Sequence, residues 1–256
     1  MIKKFSVDEI VKSFIQIADN ALEKRGRFLV SLAGGGTPMK LYEKLTEIKI
    51  DWTRVHFFWG DERCVPIDDA ESNYGQAKKV FLDKINATNV HRINTDLSPD
   101  SAARHYAHTL KFFAEPPLDF PRFDLVLLGL GEDGHTASLF PNSPIDIDES
   151  VIAVTAQYQN RPANRVTMTP KVFNEAREVW FLATGKNKAQ ILNTVLNGEK
   201  DLKLYPAQRI QPKNGKLIWW VDEEANSSLR GALYATKQSN TMLESASPQN
   251  QEQGSQ

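Results

Sequence analysis

The chain has 256 residues, with 31 Lys plus Arg against 32 Asp plus Glu, a single Cys and 41% hydrophobic residues. A formal charge of -1 leaves no basic excess for a nucleic-acid backbone, and one cysteine builds neither a disulfide framework nor a four-ligand zinc knot. The length buries a substantial core without such staples, and any anion bound here must be gripped locally.

From the N-terminus, Val7, Ile10, Val11, Phe14, Ala18, Ala21 and Leu22 recur at helical spacing and predict an amphipathic first helix. Lys3 and Lys4 resemble the start of a signal peptide, but Asp8, Glu9 and Lys12 interrupt the apolar stretch it would need. The longest apolar runs are too short to span a bilayer, so the expectation is a soluble, cytoplasmic protein with no membrane partner. Residues 28–33 read as a buried strand that runs into Gly34-Gly35-Gly36-Thr37-Pro38 and a helix through Leu41 and Leu45, with Thr37 as N-cap and Pro38 first in the helix. Residues 55–59 form a second strand, ending in Gly60-Asp61-Glu62-Arg63. Ser72 opens a helix through Val80, Phe81 and Ile85, and Ser98-Pro99 begins another holding Ala102, Tyr106 and Leu110, before a break at Pro116, Pro117 and Pro121.

Residues 123–128 are the most apolar strand and empty into Gly129-Leu130-Gly131-Glu132-Asp133-Gly134-His135-Thr136. Strand-like runs follow at 151–155, 179–183 and 217–221, with a helix from about Lys188 to Leu196 and a last one opened by Asp222, Glu223 and Glu224. Nearly uniform apolar strands alternating with helices predict an α/β fold, a parallel sheet covered by helices on both faces. Residues 1–236 read as one domain. From Lys237 the composition collapses to Ser, Gln, Asn and Glu, so residues 237–256 read as a disordered tail.

Open α/β sheets bind ligands beyond the carboxyl ends of their strands, and three such ends carry informative residues. Gly34-Gly35-Gly36-Thr37 offers backbone amides at a helix start, a cradle for a phosphate or carboxylate; a tight turn without ligand is the alternative. The run matches neither a dinucleotide fingerprint nor a P-loop, and a mononucleotide or sugar phosphate fits better. Asp61-Glu62-Arg63 is either a functional cluster or a solvated loop. Asp133-Gly134-His135-Thr136 places a histidine in a glycine-flanked loop after a central strand, where it serves as a general base or caps the next helix. His105 and His108 lie three apart on a helix without accompanying carboxylates, so no metal site is expected. Cys64 reads as a small packed thiol.

Six blocks in order make the chain similar to a known family along nearly all of residues 5 to 235. They are Ser31-Leu32-Ala33-Gly34-Gly35-Gly36-Thr37-Pro38; Trp59-Gly60-Asp61-Glu62-Arg63-Cys64-Val65-Pro66 with Glu71-Ser72-Asn73-Tyr74-Gly75; the segment from Gly129 through His135 to Pro141; Arg165-Val166-Thr167-Met168-Thr169; Gly185-Lys186-Asn187-Lys188-Ala189; and Pro206-Ala207-Gln208. The chain resembles the 6-phosphogluconolactonases. The resemblance implies a fold shared with glucosamine-6-phosphate deaminases and ribose-5-phosphate isomerases, a Rossmann-like parallel sheet with additional smaller elements. It also implies hydrolysis of 6-phospho-D-glucono-1,5-lactone to 6-phosphogluconate in the oxidative pentose phosphate pathway, with no metal or organic cofactor.

A δ-lactone is an activated ester, so its hydrolysis needs a positioned water, a base and positive charge at the nascent oxyanion. His135 is the expected base, oriented by Asp133 or Asp61. Arg63 is the expected cation for the carbonyl oxygen or the phosphate. Gly35, Gly36 and Thr37 are expected to hold the phosphate with Lys188 and with Arg165 or Arg209, and Asn73 is expected either to contact a hydroxyl or to support the residues that touch the substrate. The nearest rival is a glucosamine-6-phosphate deaminase or sugar-phosphate isomerase. Such enzymes resemble this chain in the acidic pair and the Asp-Gly-His loop, but carry a catalytic Glu shortly after it where this chain reads Thr136-Ala137-Ser138-Leu139-Phe140. A non-catalytic sugar-phosphate sensor is the other alternative, and the chain before Phe28 has no room for its DNA-binding module.

Overall fold

A computed structural model describes residues 1–227 of the chain. The expected tail, and the final helix beyond its first turn, lie outside these residues; the turn itself is set by Asp222, whose Oδ1 accepts the Ala225 N–H at 2.8 Å. Among the described residues, no helix is long and apolar enough to cross a membrane.

The chain opens with a short strand, β1 (Ile2–Lys4), and helix α1 (Val7–Arg25). Asp8 and Glu9 in the first turn of α1, and Lys24 and Arg25 in the last, complement the helix dipole, and Gly26 ends it with a left-handed φ of 70°. The predicted stripe from Ile10 to Leu22 is buried. β2 (Phe28–Leu32) and α2 (Gly36–Leu45) follow, then β3 (Val55–Trp59), β4 (Asp61–Arg63) and α3 (Asn73–Ala77), which continues into a wide helical turn through Leu82. Ser72 caps α3 as its sequence predicts, its Oγ accepting the Gly75 N–H. The second half contains α4 (Pro99–Lys111), β5 (Leu125–Gly129), β6 (Val151–Thr155), β7 (Asn164–Met168), α5 (Pro170–Phe173), β8 (Glu178–Ala183), α6 (Ala189–Asn197) and β9 (Lys216–Val221).

Six strands form an all-parallel sheet in the order β1-β9-β8-β5-β2-β3. Side chains alternate between the two faces of a strand, yet every residue of β2 is buried, so both faces are covered. The chain builds outward from β2 to β3 in one direction and from β5 through β8 to β9 in the other, where the N-terminal β1 adds to the edge of β9. The reversal lies between β2 and β5, where such sheets open a crevice.

The expected parallel strand at 151–155 is displaced from this sheet. It is β6, and it pairs antiparallel with β7, which pairs with β4, to make a separate three-stranded sheet. β1, β4 and β7 are strands that the hydrophobic pattern does not announce. β4 is three charged residues, and its pairing places Asp61 opposite Thr167 and Arg63 opposite Arg165.

Candidate active site

A cleft of about 230 Å³ opens at the carboxyl ends of β2, β3, β5 and β8, bordered by the β6–β7 loop. Its floor begins after β2. The N-cap of α2 is Gly35 (φ 101°, ψ 163°), so Thr37 lies inside the first helical turn and is not the N-cap, and Pro38 stands third. Proline is harmless there because first-turn N–H groups have no acceptor within the helix. The amides of Gly36 and Thr37 are left for a ligand. The Thr37 hydroxyl, released from capping, meets the Thr184 hydroxyl at 2.7 Å and links this turn to the end of β8. At Gly34 a Cβ would overlap Asn73 Oδ1; glycine is needed for Asn73 to reach the cleft floor. Asn73 Nδ2 donates to the Asp61 carbonyl at 2.9 Å, and its Oδ1 is buried without a partner.

His135 follows β5 in a loop that closes on itself through the Thr136–Leu139 bridge, not in a position that caps a helix. Its Nδ1 lies 2.6 Å from Asp133 Oδ1, which also accepts the His135 backbone N–H at 3.0 Å. Burial pushes the Asp133 carboxyl up, but the hydrogen bond and charge of His135 outweigh it and hold the group below its ordinary value. An ionised Asp133 can only accept, which puts the proton on Nδ1 and leaves the Nε2 lone pair free. The ring is flanked by Phe140 and Tyr158, each with its centroid 4.6 Å away. Asp61, the other carboxylate expected to orient it, is instead bonded to Ser138 Oγ at 2.6 Å.

The charges of β4 are not a solvated loop: Asp61, Glu62 and Arg63 are 7%, 2% and 8% exposed. Burial pushes Glu62 up to about 7, against the pull of the N–H groups of Tyr74, Asn73 and Arg63 that its carboxylate accepts. It organises the turn into α3. Arg63 Nη1 donates to the Glu71 carbonyl at 2.6 Å and its carboxylate at 3.3 Å, while Nε is buried and unpartnered. Arg165 donates Nε to the Pro162 carbonyl at 3.0 Å, sits over the Phe140 ring, and has a buried, unpartnered Nη2. Lys188 lines the cleft from the turn before α6; burial holds it below its ordinary value, against the attraction of Glu132 and Asp133.

Of the expected residues, Gly35, Gly36, Thr37, Asp61, Arg63, Asn73, His135, Arg165 and Lys188 border one cleft, and Asp133 stands behind His135. Arg209 does not. Its guanidinium is spent on the carbonyls of Leu202, Ser143 and Pro144 and on Ser143 Oγ, so it ties the loops after β5 and α6 together. Cys64 is half-buried, and burial and the Glu62 charge push its thiol up, the reverse of activation. His105 and His108 lie exposed on α4, and among the described residues no cluster of three metal-ligating side chains occurs. Sequence reasoning missed Gly131, Tyr158, Arg161 and Thr184. Gly131 belongs to the segment from Gly129 to Pro141, and its signal is its nearness to Asp133 and His135; the others lie in segments without a local pattern that names them.

A parallel sheet whose switch-point crevice gathers free helix-start amides, unsatisfied guanidinium nitrogens and a carboxylate-held histidine defines an α/β protein built to bind and react a small anion. The chain belongs to the family of glucosamine-6-phosphate isomerases and 6-phosphogluconolactonases, whose model matches residues 3–219. It is 40% identical over 215 residues to the 6-phosphogluconolactonase of Synechocystis sp., covering 82% of this chain and 88% of that one. The crystal structure of 6-phosphogluconolactonase from Thermotoga maritima is 31% identical, with a TM-score of 0.77 over 87% of this chain and 98% of that chain. The fold extends to a monomeric glucosamine-6-phosphate deaminase, 20% identical, with a TM-score of 0.75 over 89% of this chain and 98% of that chain.

Proposed function

We propose that the chain is a 6-phosphogluconolactonase that hydrolyses 6-phospho-D-glucono-1,5-lactone to 6-phosphogluconate in the oxidative pentose phosphate pathway, with His135 as general base. The observation that carries the chemistry is the His135–Asp133 pair at 2.6 Å, beside a cradle of free amides and cations. His135 Nε2 takes a proton from water as the oxygen attacks C1. The carbonyl becomes an oxyanion, stabilised by Arg63, whose Nε has no other partner. Collapse breaks the bond to the ring oxygen, and the imidazolium returns the proton to that leaving oxygen; ionisation of the new acid releases one proton. The 6-phosphate rests on the Gly36 and Thr37 amides with Lys188 and Arg165, and Asn73 lies on the cleft floor beneath the sugar.

The deaminase reading is weakened at two places. The stretch where it needs a catalytic carboxylate holds Leu139 and Phe140, both buried, and the Phe140 ring packs against His135 with centroids 4.6 Å apart. Asp61, the remaining acid, is engaged by Ser138. The two activities separate in one experiment on purified protein, following acid release from fresh phospholactone, acid release from unphosphorylated gluconolactone, and ammonia release from glucosamine 6-phosphate. Rapid hydrolysis of the phospholactone, a much poorer reaction with the unphosphorylated lactone, and no ammonia are expected. Ammonia release without lactone hydrolysis would overturn the proposal.

A further inference from the structure

The loop joining β6 to β7 carries a group that the mechanism above does not use. Tyr158 and Arg161 pair across its tip, with the Arg161 N–H donating to the Tyr158 carbonyl at 2.9 Å, and Gln159 and Asn160 turn the chain at φ 48° and 55°. Two successive left-handed residues make the tightest hairpin turn, whose twist matches its strands. The tip is therefore held by strand register, since β7 also pairs with β4, which carries Arg63. Its depth is held by Tyr158, whose ring meets the edge of His135. The fold thus keeps Arg161 at a set place on the cleft that His135 lines.

Arg161 has little else to do. Its single side-chain hydrogen bond among the described residues is to Glu71 Oε2, at 3.4 Å, and Glu71 already receives Arg63. Arg209, by contrast, spends its donors on backbone carbonyls. The positive charge of Arg161 also bears on both Lys188 and Arg165, each held below its ordinary value chiefly by burial and further by this repulsion. Three cations crowd one side of the cleft, and a dianion among them relieves their repulsion. A guanidinium held only through one long Nη1 contact to Glu71 keeps Nε and Nη2 to match the oxygens of a phosphate monoester.

We infer that Arg161 is a substrate-contacting residue, engaging the 6-phosphate from the β6–β7 hairpin and setting the preference for phosphorylated over unphosphorylated lactone. The inference rests on the lactonase reading. It is tested by steady-state kinetics of R161A and R161K on both lactones, with circular dichroism to show that each variant is folded. In R161A, KM for the phospholactone rises about ten- to hundredfold with kcat nearly unchanged, as expected for loss of a charge-assisted contact. Turnover of unphosphorylated gluconolactone stays at the wild-type level, inorganic phosphate weakens as a competitive inhibitor, and R161K recovers part of the loss. Equal losses on both lactones would make Arg161 a support for Tyr158 and His135 and overturn the inference, as would wild-type kinetics in R161A. A wild-type protein without lactonase activity would instead overturn the underlying reading, and the inference with it.

Discussion

His135 is defined by what its neighbours leave open. Asp133 takes Nδ1, Phe140 and Tyr158 cover the ring, and Gly131 passes so close behind that a Cβ would overlap both His135 Nδ1 and Asp133 Oδ1. Gly131→Ala therefore forces His135 from its carboxylate while adding only a methyl group. A kcat loss of about 10²-fold is expected, the usual consequence of misplacing a catalytic group by about an ångström. Unchanged far-UV circular dichroism would show that the fold survives, and a wild-type kcat would mean that the close pair is not needed. The expected residues most legible in the sequence are those beside glycines, as at His135 and Gly36, and both line the cleft. Arg209 misled because nothing beside it in sequence reveals the carbonyls of Ser143 and Pro144 that consume it.

Elements that the hydrophobic pattern names are those buried along all or nearly all of their length, such as β2 and β5, or along one stripe, such as α1. β4 escaped because its burial is that of charges made acceptable by distant partners: Ser138 for Asp61, the turn at Asn73 for Glu62, and Glu71 for Arg63. The edge of β3 poses a different charge problem. There His56 Nδ1 lies 3.1 Å from His91 Nε2, with Phe58 and Phe113 packed around the pair. Burial, aided by the His56 charge, lowers His91 to about 4, and burial with the nearby Arg27 lowers His56. The unfolded chain thus binds more protons than the folded one between about 4 and the ordinary 6.5. The pair's contribution is present above 6.5 and is lost as pH falls through 4. Melting temperature is expected to drop from pH 7 to 4.5, and to drop less in His91→Phe, which keeps the stacking with Phe58 and removes one titration. Parallel pH profiles for the two proteins would contradict this.

Over the whole molecule, alternation of strands and helices predicted the parallel sheet and therefore the crevice in which the site lies. Strand order was not predictable from that alternation, because it depends on which apolar faces meet across long sequence separations. The same limit hid the antiparallel sheet, in which β4 and β7 come together across 100 residues of chain and bring Arg63 beside Arg165. This second sheet completes the cleft: it supplies the Arg63 and Arg165 side chains and carries the hairpin that brings Tyr158 and Arg161 to its rim. The decisive comparison is acid release from freshly made 6-phospho-D-glucono-1,5-lactone by the wild-type protein and by His135→Ala at one pH, with spontaneous hydrolysis subtracted. Rapid release by the wild type and a loss of about 10²- to 10⁴-fold in the variant are expected of a general base; wild-type turnover in folded His135→Ala would contradict the mechanism.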